Sequence, residues 1–146
     1  MRSIISLLKD ILQKILELIG LIRKKDETVL LWTNPSPTSD FPAKTVNVSY
    51  ADYDYVFALG KVTTGVNEVR HLATPWIPAA QGNSGHFNYI GTDYFAMARQ
   101  MTLVSGGISF TSGYMVNMAT DATYDNWNNR AIPLMIFGVK LGGGTN

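Results

Sequence analysis

The sequence predicts a mainly β protein led by one amphipathic, coiled-coil-like helix, with an antiparallel β-sandwich or jelly roll behind it. That expectation rests on an apolar heptad near the N-terminus, an abrupt change of composition at residue 28, and short apolar runs punctuated by turn residues beyond it. Residues 1–27 hold ten of the 23 charged side chains and no aromatic one, whereas residues 28–146 hold 13 charges, all 16 aromatics and 12 of the 13 glycines. Textures that different mark an oligomerisation helix over 1–27 and a β-sandwich domain over 28–141, with 142–146 as a flexible tail. A β-domain of that length supports one core of ordinary size and leaves little room for a second.

Within the helix, Ile4, Leu8, Ile11, Ile15, Leu18 and Ile22 are spaced four, three, four, three and four apart. With Ile4, Ile11 and Leu18 at d positions, Leu8, Ile15 and Ile22 fall at a. Ile5, Leu12 and Ile19, one after each d, widen the stripe. One copy cannot hide such a face in water, so the chain is expected to associate with itself. A seam this rich in isoleucine favours three or more strands over two, and a homotrimer is the first expectation. Tetramer and pentamer stay open. Two alternatives compete: a helix folded back onto the β-domain, and one lying on a membrane surface. Lys9, Lys14, Arg23, Lys24 and Lys25 suit a lipid surface, but no Trp, Phe or Tyr is present to anchor it. Lys9, Asp10, Lys14 and Glu17 interrupt the apolar run too often for a span. The apolar stretch after Arg2 ends at Leu8 with no small-residue cleavage site, which makes a poor signal peptide. About three heptads are marginal alone and need help from the domain they carry.

The β-domain reads as eight or nine short strands. Thr28 to Thr33 is the first, ended by Asn34-Pro35-Ser36-Pro37, where two prolines cannot continue a ladder. Thr45 to Ser49 alternates, with Val46 and Val48 on one face. Tyr53 to Lys61 follows, with Tyr55, Phe57 and Leu59 on one side, and Thr63-Thr64-Gly65 turns it back along Val66 to Thr74. Pro75-Trp76-Ile77-Pro78 and the loop Gln81 to Gly85 lead to a short strand at Phe87 to Ile90. Phe95 to Val104 places Phe95, Met97, Met101 and Leu103 on one face, interrupted by Arg99. Turns at Ser105-Gly106-Gly107 and Ser112-Gly113 separate Ile108 to Phe110 from Tyr114 to Met118. Asp121 to Arg130 is polar and irregular, and Ile132 to Leu141 is the last strand. No helical period appears past Leu30, which argues against an α/β fold.

Charge and chemistry exclude several classes of function. The net charge is +1, from 12 basic and 11 acidic residues, so there is no footprint for nucleic acid. Arg23, Lys24 and Lys25 run straight into Asp26 and Glu27 and read as a solvated helix exit. Cysteine is absent, which removes disulfides, thiolate metal sites and cysteine nucleophiles and mildly favours a reducing compartment. His71 and His86 are isolated, with no acid or second histidine at ligand spacing. Asp52 and Asp54 share one side of a strand start and would face solvent or line a loop end. Asp121 and Asp125 with Asn126 and Asn128 match no calcium loop, so a polar turn is the better reading. Gly106-Gly107 and Gly142 to Gly144 open no helix and cradle no phosphate. The sequence thus predicts no catalytic residue, no metal, no cofactor and no enzyme. Trp76, in a stiff proline-flanked loop, and Tyr124 with Trp127, in an Asn/Asp-rich stretch, suit a sugar whose apolar face stacks while its hydroxyls hydrogen-bond. The competing reading is a tryptophan that plugs the sandwich end or a seam between protomers.

The segment L-L-W-T-N-P-S-P-T-S-D-F-P-A-K-T-V-N-V at Leu30 to Val48 resembles a recurring stretch in small fibre-type proteins of phages and prophages of gut Firmicutes. There, a strand ending L-W-T-N-P-S-P precedes an F-x-x-Q/K-T-V run and a Y-D-Y-V strand like Tyr53 to Val56. The chain is similar to them again in G-I-S-F at Gly107 to Phe110 and in I-P-L-x-I-F/Y-G-V/I-K at Ile132 to Lys140. The resemblance spans most of 30–141 and rests on strand and turn residues. It implies a tail-fibre, baseplate or head-fibre component, found in the virion after assembly in the host cytoplasm, with a trimerising helix and a displayed β-tip. It brings no catalytic residue. The implied partners are further copies of the chain, other virion proteins and a host-surface polysaccharide, with neither nucleic acid nor membrane. The alternative is a decoration or adaptor protein whose helix docks onto another virion protein and whose tip binds no receptor. A glycan-degrading tip with acids from two protomers is a third reading.

Overall fold

The computed structural model describes residues 4–22, 26–91 and 94–142, with α1 side chains described at 4–15, 17 and 18. The side chains of Ile19 and Ile22, the basic exit at 23–25 and residues 143–146 of the expected tail lie outside the described residues. One helix and eleven strands make up the described chain. They are α1 (Ile4–Ile22), β1 (Glu27–Thr33), β2 (Lys44–Val46), β3 (Tyr55–Thr63), β4 (His71–Ala73) and β5 (Ile77–Pro78), then β6 (Ser84–Ile90), β7 (Phe95–Val104), β8 (Gly107–Phe110), β9 (Tyr114–Asn117), β10 (Ala122–Tyr124) and β11 (Arg130–Lys140).

Every strand pair is antiparallel, and the strands form two sheets. In the first, β1, β11 and β3 lie side by side, and β4 and β5 follow one another along the outer edge of β3. The interruption between them falls at Thr74-Pro75-Trp76, where proline has no N–H to donate. There Thr74 supplies both its N–H to the Ala58 carbonyl (3.0 Å) and its hydroxyl oxygen to the Ala58 N–H (2.9 Å). In the second sheet β6 lines one edge of β7, while β8 and β9 share the other edge end to end. Strands β2 and β10 then extend β8 and β9 respectively. Pro133 sits in the central strand β11 at a register shift. Buried Asn34 adapts to it, donating its side-chain amide to the Pro133 carbonyl at 2.8 Å and its backbone N–H to Leu134 at 2.8 Å.

The sheets pack face to face over one core. Val56, Ala58 and Val62 from β3 and Ile132 and Ile136 from β11 meet Phe87, Met97, Met101, Leu103, Ile108, Phe110 and Met115 from the second sheet. Trp32, Phe41 and Phe110 form an aromatic cluster at its edge, with Phe41 and Phe110 edge to face at 5.5 Å. Tyr55, Phe57 and Leu59 alternate with the buried β3 residues and lie half-buried on the outer face.

Several expectations need correction, beginning with the count: eleven strands stand where eight or nine were expected, because the expected loops hold the two-residue β5 and the start of β6. The expected strand from Val66 to Thr74 shrinks to His71–Ala73, because residues 65–70 form a turn that Glu68 holds by accepting from the Arg70 N–H (2.9 Å) and the Thr63 hydroxyl (3.1 Å). The polar stretch after Asp121 contains strand β10, whose three residues pair with β9. Arg99 does not interrupt the inward face of β7. It lies on that face, 1% exposed, between Met97 and Met101.

Candidate functional site

The apolar residues of α1 are uncovered. Ile4, Leu8, Ile11, Ile15 and Leu18 are between 46% and 78% exposed, and Ile5, Leu7 and Leu12 are exposed beside them. No strand makes extensive contact with α1 among the described residues. The polar side carries a Gln13 to Glu17 hydrogen bond of 3.3 Å, as expected of a solvated helix face. No described helix is long and apolar enough to cross a membrane.

The three aromatic candidates fall in two places. Trp76 lies on the outer face of the first sheet, where its ring stacks on Phe57 at 6.2 Å and Phe57 stacks on Phe137 at 5.1 Å. Leu30 stands opposite Phe137 across the ladder, so an apolar row crosses this face from Leu30 through Phe137 and Phe57 to Trp76. Tyr124 and Trp127 come together instead at one end of the sandwich, edge to face at 4.9 Å, and the Arg130 guanidinium lies 5.5 Å from the Trp127 ring.

The segment 127–131 is pinned from several directions. Trp127 donates its N–H to Gly113 (2.8 Å), Asn128 accepts from the Phe41 N–H (2.8 Å), and Asn129 accepts from the Thr64 N–H (3.3 Å). Buried Arg99 fastens the C-terminal end of the segment: its guanidinium donates to the carbonyls of Thr111 (2.5 Å), Arg130 (3.0 Å) and Ala131 (2.8 Å). The same group lies 5.2 Å from the Phe41 ring. Burial pushes the Arg99 pKa down to about 10, which still leaves it charged at neutral pH. The clamp holds Ala131 in the left-handed region at φ 48°, a conformation an alanine adopts only when its surroundings force it.

This pinned segment walls a cavity of about 290 Å³ between the sheet ends. Val62, Phe95, Met97 and Met115 give it an apolar floor, and Arg70, Tyr89, Trp127 and Arg130 form its polar and aromatic rim. At that rim Glu68 accepts from Arg70 at 2.7 and 2.8 Å, and Arg70 donates onward to the Tyr89 hydroxyl at 3.3 Å. The hydrogen bonds from Arg70 hold the Glu68 pKa at about 2, and Glu68 in turn raises that of Arg70 above its ordinary value. Within this pair the carboxylate is covered and the guanidinium faces outward, with side-chain exposures of 5% and 53%.

Sequence reasoning found Tyr124 and Trp127 and missed Arg70, Tyr89, Arg99 and Arg130. Of these, only Arg99 left a signal, a charge inside an alternating apolar strand. His71 and His86 are exposed, and no group of three or more potential metal ligands occurs among the described residues. Compared with known protein families, with characterised proteins and with solved structures, the chain matches none.

Proposed function

We propose that the chain is a non-enzymatic fibre or attachment protein of a phage virion, assembled as a homotrimer through a coiled coil of α1 helices. The single observation that carries this reading is the apolar seam of α1, left open to solvent at every described a and d position. Burying it needs further copies, and in water an apolar stripe of that width is strongly driven to find them. Three β-domains then pack around the helix axis as jelly-roll tips, and three weak sites for host-surface polysaccharide gain avidity by about 10²–10⁴-fold when their spacing fits the target. The family-like strands in residues 30–141 support a virion setting. Trp127, with Tyr124, is the aromatic platform in this reading, and Trp76 belongs to the apolar outer face.

A structural adaptor is the second reading. It is favoured by Ile5 and Leu12, which are exposed at e positions beyond the seam a trimer uses and offer a surface for a different virion protein. An array of host-surface polysaccharides separates the two: binding that disappears in Trp127→Ala supports attachment, and silence of the native chain supports the adaptor.

A further inference from the structure

We infer that the cavity between the Trp127–Arg130 segment and the ends of β6 and β7 binds a single anionic sugar residue, one carrying a carboxylate or a phosphate. The inference rests on the attachment reading and gives its site and ligand class. Among the described residues, the Arg130 side chain donates only to the Asn129 carbonyl, at a long 3.4 Å, and pairs with no carboxylate. Arg70 is paired with Glu68 and spends its donors on it and on Tyr89, so among the described lining residues Arg130 is the cation without a carboxylate. The functional groups that converge on the cavity are two guanidiniums, a phenol, an indole and the Thr63 hydroxyl, which already donates to Glu68. Donors dominate that set, and no carboxylate or carboxamide side chain among the described lining residues is present to accept from sugar hydroxyls. Sugar hydroxyls also accept from guanidinium, but a carboxylate or phosphate does so in shorter, charge-assisted bonds that are roughly twice as strong and compensates the Arg130 charge.

Two further observations agree. The apolar floor and the Trp127 ring give the ligand's C–H face a surface, which a bare inorganic anion would not use. The rim is also held from its far end: Ala131, beside Arg130, sits at φ 48°, and Arg99 fastens the carbonyls of both residues. Such strain gathers where a side chain must be presented in one orientation. A volume of about 290 Å³ falls just below the ~300–1,000 Å³ common for small-ligand pockets, which suits one sugar residue of a longer polymer.

The test is calorimetric titration of the full chain at low salt with trigalacturonate, with a phosphorylated mannose trisaccharide and with neutral maltotriose. One acidic probe is expected to bind and to weaken as salt is raised, and which of the two it is tells carboxylate from phosphate. Arg130→Gln is expected to weaken that probe by about tenfold or more, as loss of a hydrogen bond to a charged group does. Lys140→Gln, which removes a positive charge at the far end of the same strand, should bind as the native chain does. Arg70→Gln serves as the second variant if Arg130→Gln does not fold. Equal binding of maltotriose, or indifference of the acidic probe to both arginine substitutions, overturns the anionic site and leaves attachment standing. Silence of all three probes overturns the site, and the array of host polysaccharides then reports separately on attachment.

Discussion

Arg99 carries a charge into a position where β7 otherwise places methionine and leucine, and the structure shows what that charge is for. Its donors reach carbonyls at residues 111, 130 and 131, joining the break between β8 and β9 to the first residues of β11. Methionine fills a similar volume but leaves those carbonyls without their donors. Arg99→Met is therefore expected to lower stability in urea unfolding by about 2–4 kcal/mol, the cost of several buried acceptors left unmet. A loss below about 0.5 kcal/mol would show that the carbonyls are satisfied without it. Glu68 makes a second prediction. Its folded pKa lies below the unfolded one, so its contribution to stability is fully present above the unfolded value near 4.5 and drains away as pH falls through about 2. An NMR titration of the Glu68 carboxyl should accordingly show a midpoint near 2. A midpoint in the ordinary carboxylate range would mean that the bonds to Arg70 do not persist in solution. Neither residue was legible as functional from the sequence. Strict alternation groups the positions that share a face, but it cannot say that an arginine on the buried face will find three carbonyl acceptors on chain segments 12 to 32 residues away.

Elements were readable in proportion to their length and periodicity. The boundaries of β7 match the expected strand because ten residues alternate without a proline or glycine. The helix follows directly from its heptad. Strands β5 and β10, with two and three residues, carry no pattern of their own and exist because a neighbour offers an edge. The same dependence placed Tyr124 and Trp127 in view as a sequence cluster but hid the cavity that Trp127 lines, which forms only when β3, β6, β7 and β9 bring their ends together. Gly113, in the gap between β8 and β9, sets how closely the Trp127 segment can approach. A Cβ there would overlap the Trp127 carbonyl oxygen, a backbone atom that cannot swing aside. Gly113→Ala is expected to cost about 1–3 kcal/mol of stability, the usual range for overpacking. It should also shift the tryptophan fluorescence, because the Trp127 segment must move. Unchanged stability and an unchanged spectrum would place the 127–131 segment outside the tightly packed part of the domain.

At the scale of the whole molecule, two surfaces expose large apolar side chains side by side. One is α1, and the other is the outer row of Leu30, Phe137, Phe57 and Trp76. An assembly in which α1 helices form the axis has its β-domains close by, and charge-poor outer faces then meet other protomers instead of solvent. The sequence exposed the first surface through spacing and could not expose the second, since an alternating strand looks the same whichever of its faces turns to the core. Trimerisation through α1 is the central claim, and the most direct measurement is light-scattering mass after size exclusion, on the full chain and on a chain beginning at Asp26. The account predicts three copies for the full chain and dissociation without the helix. A monomeric full chain would contradict it, and a trimer that survives removal of the helix would move the assembly to the β-domain and leave α1 free to dock elsewhere.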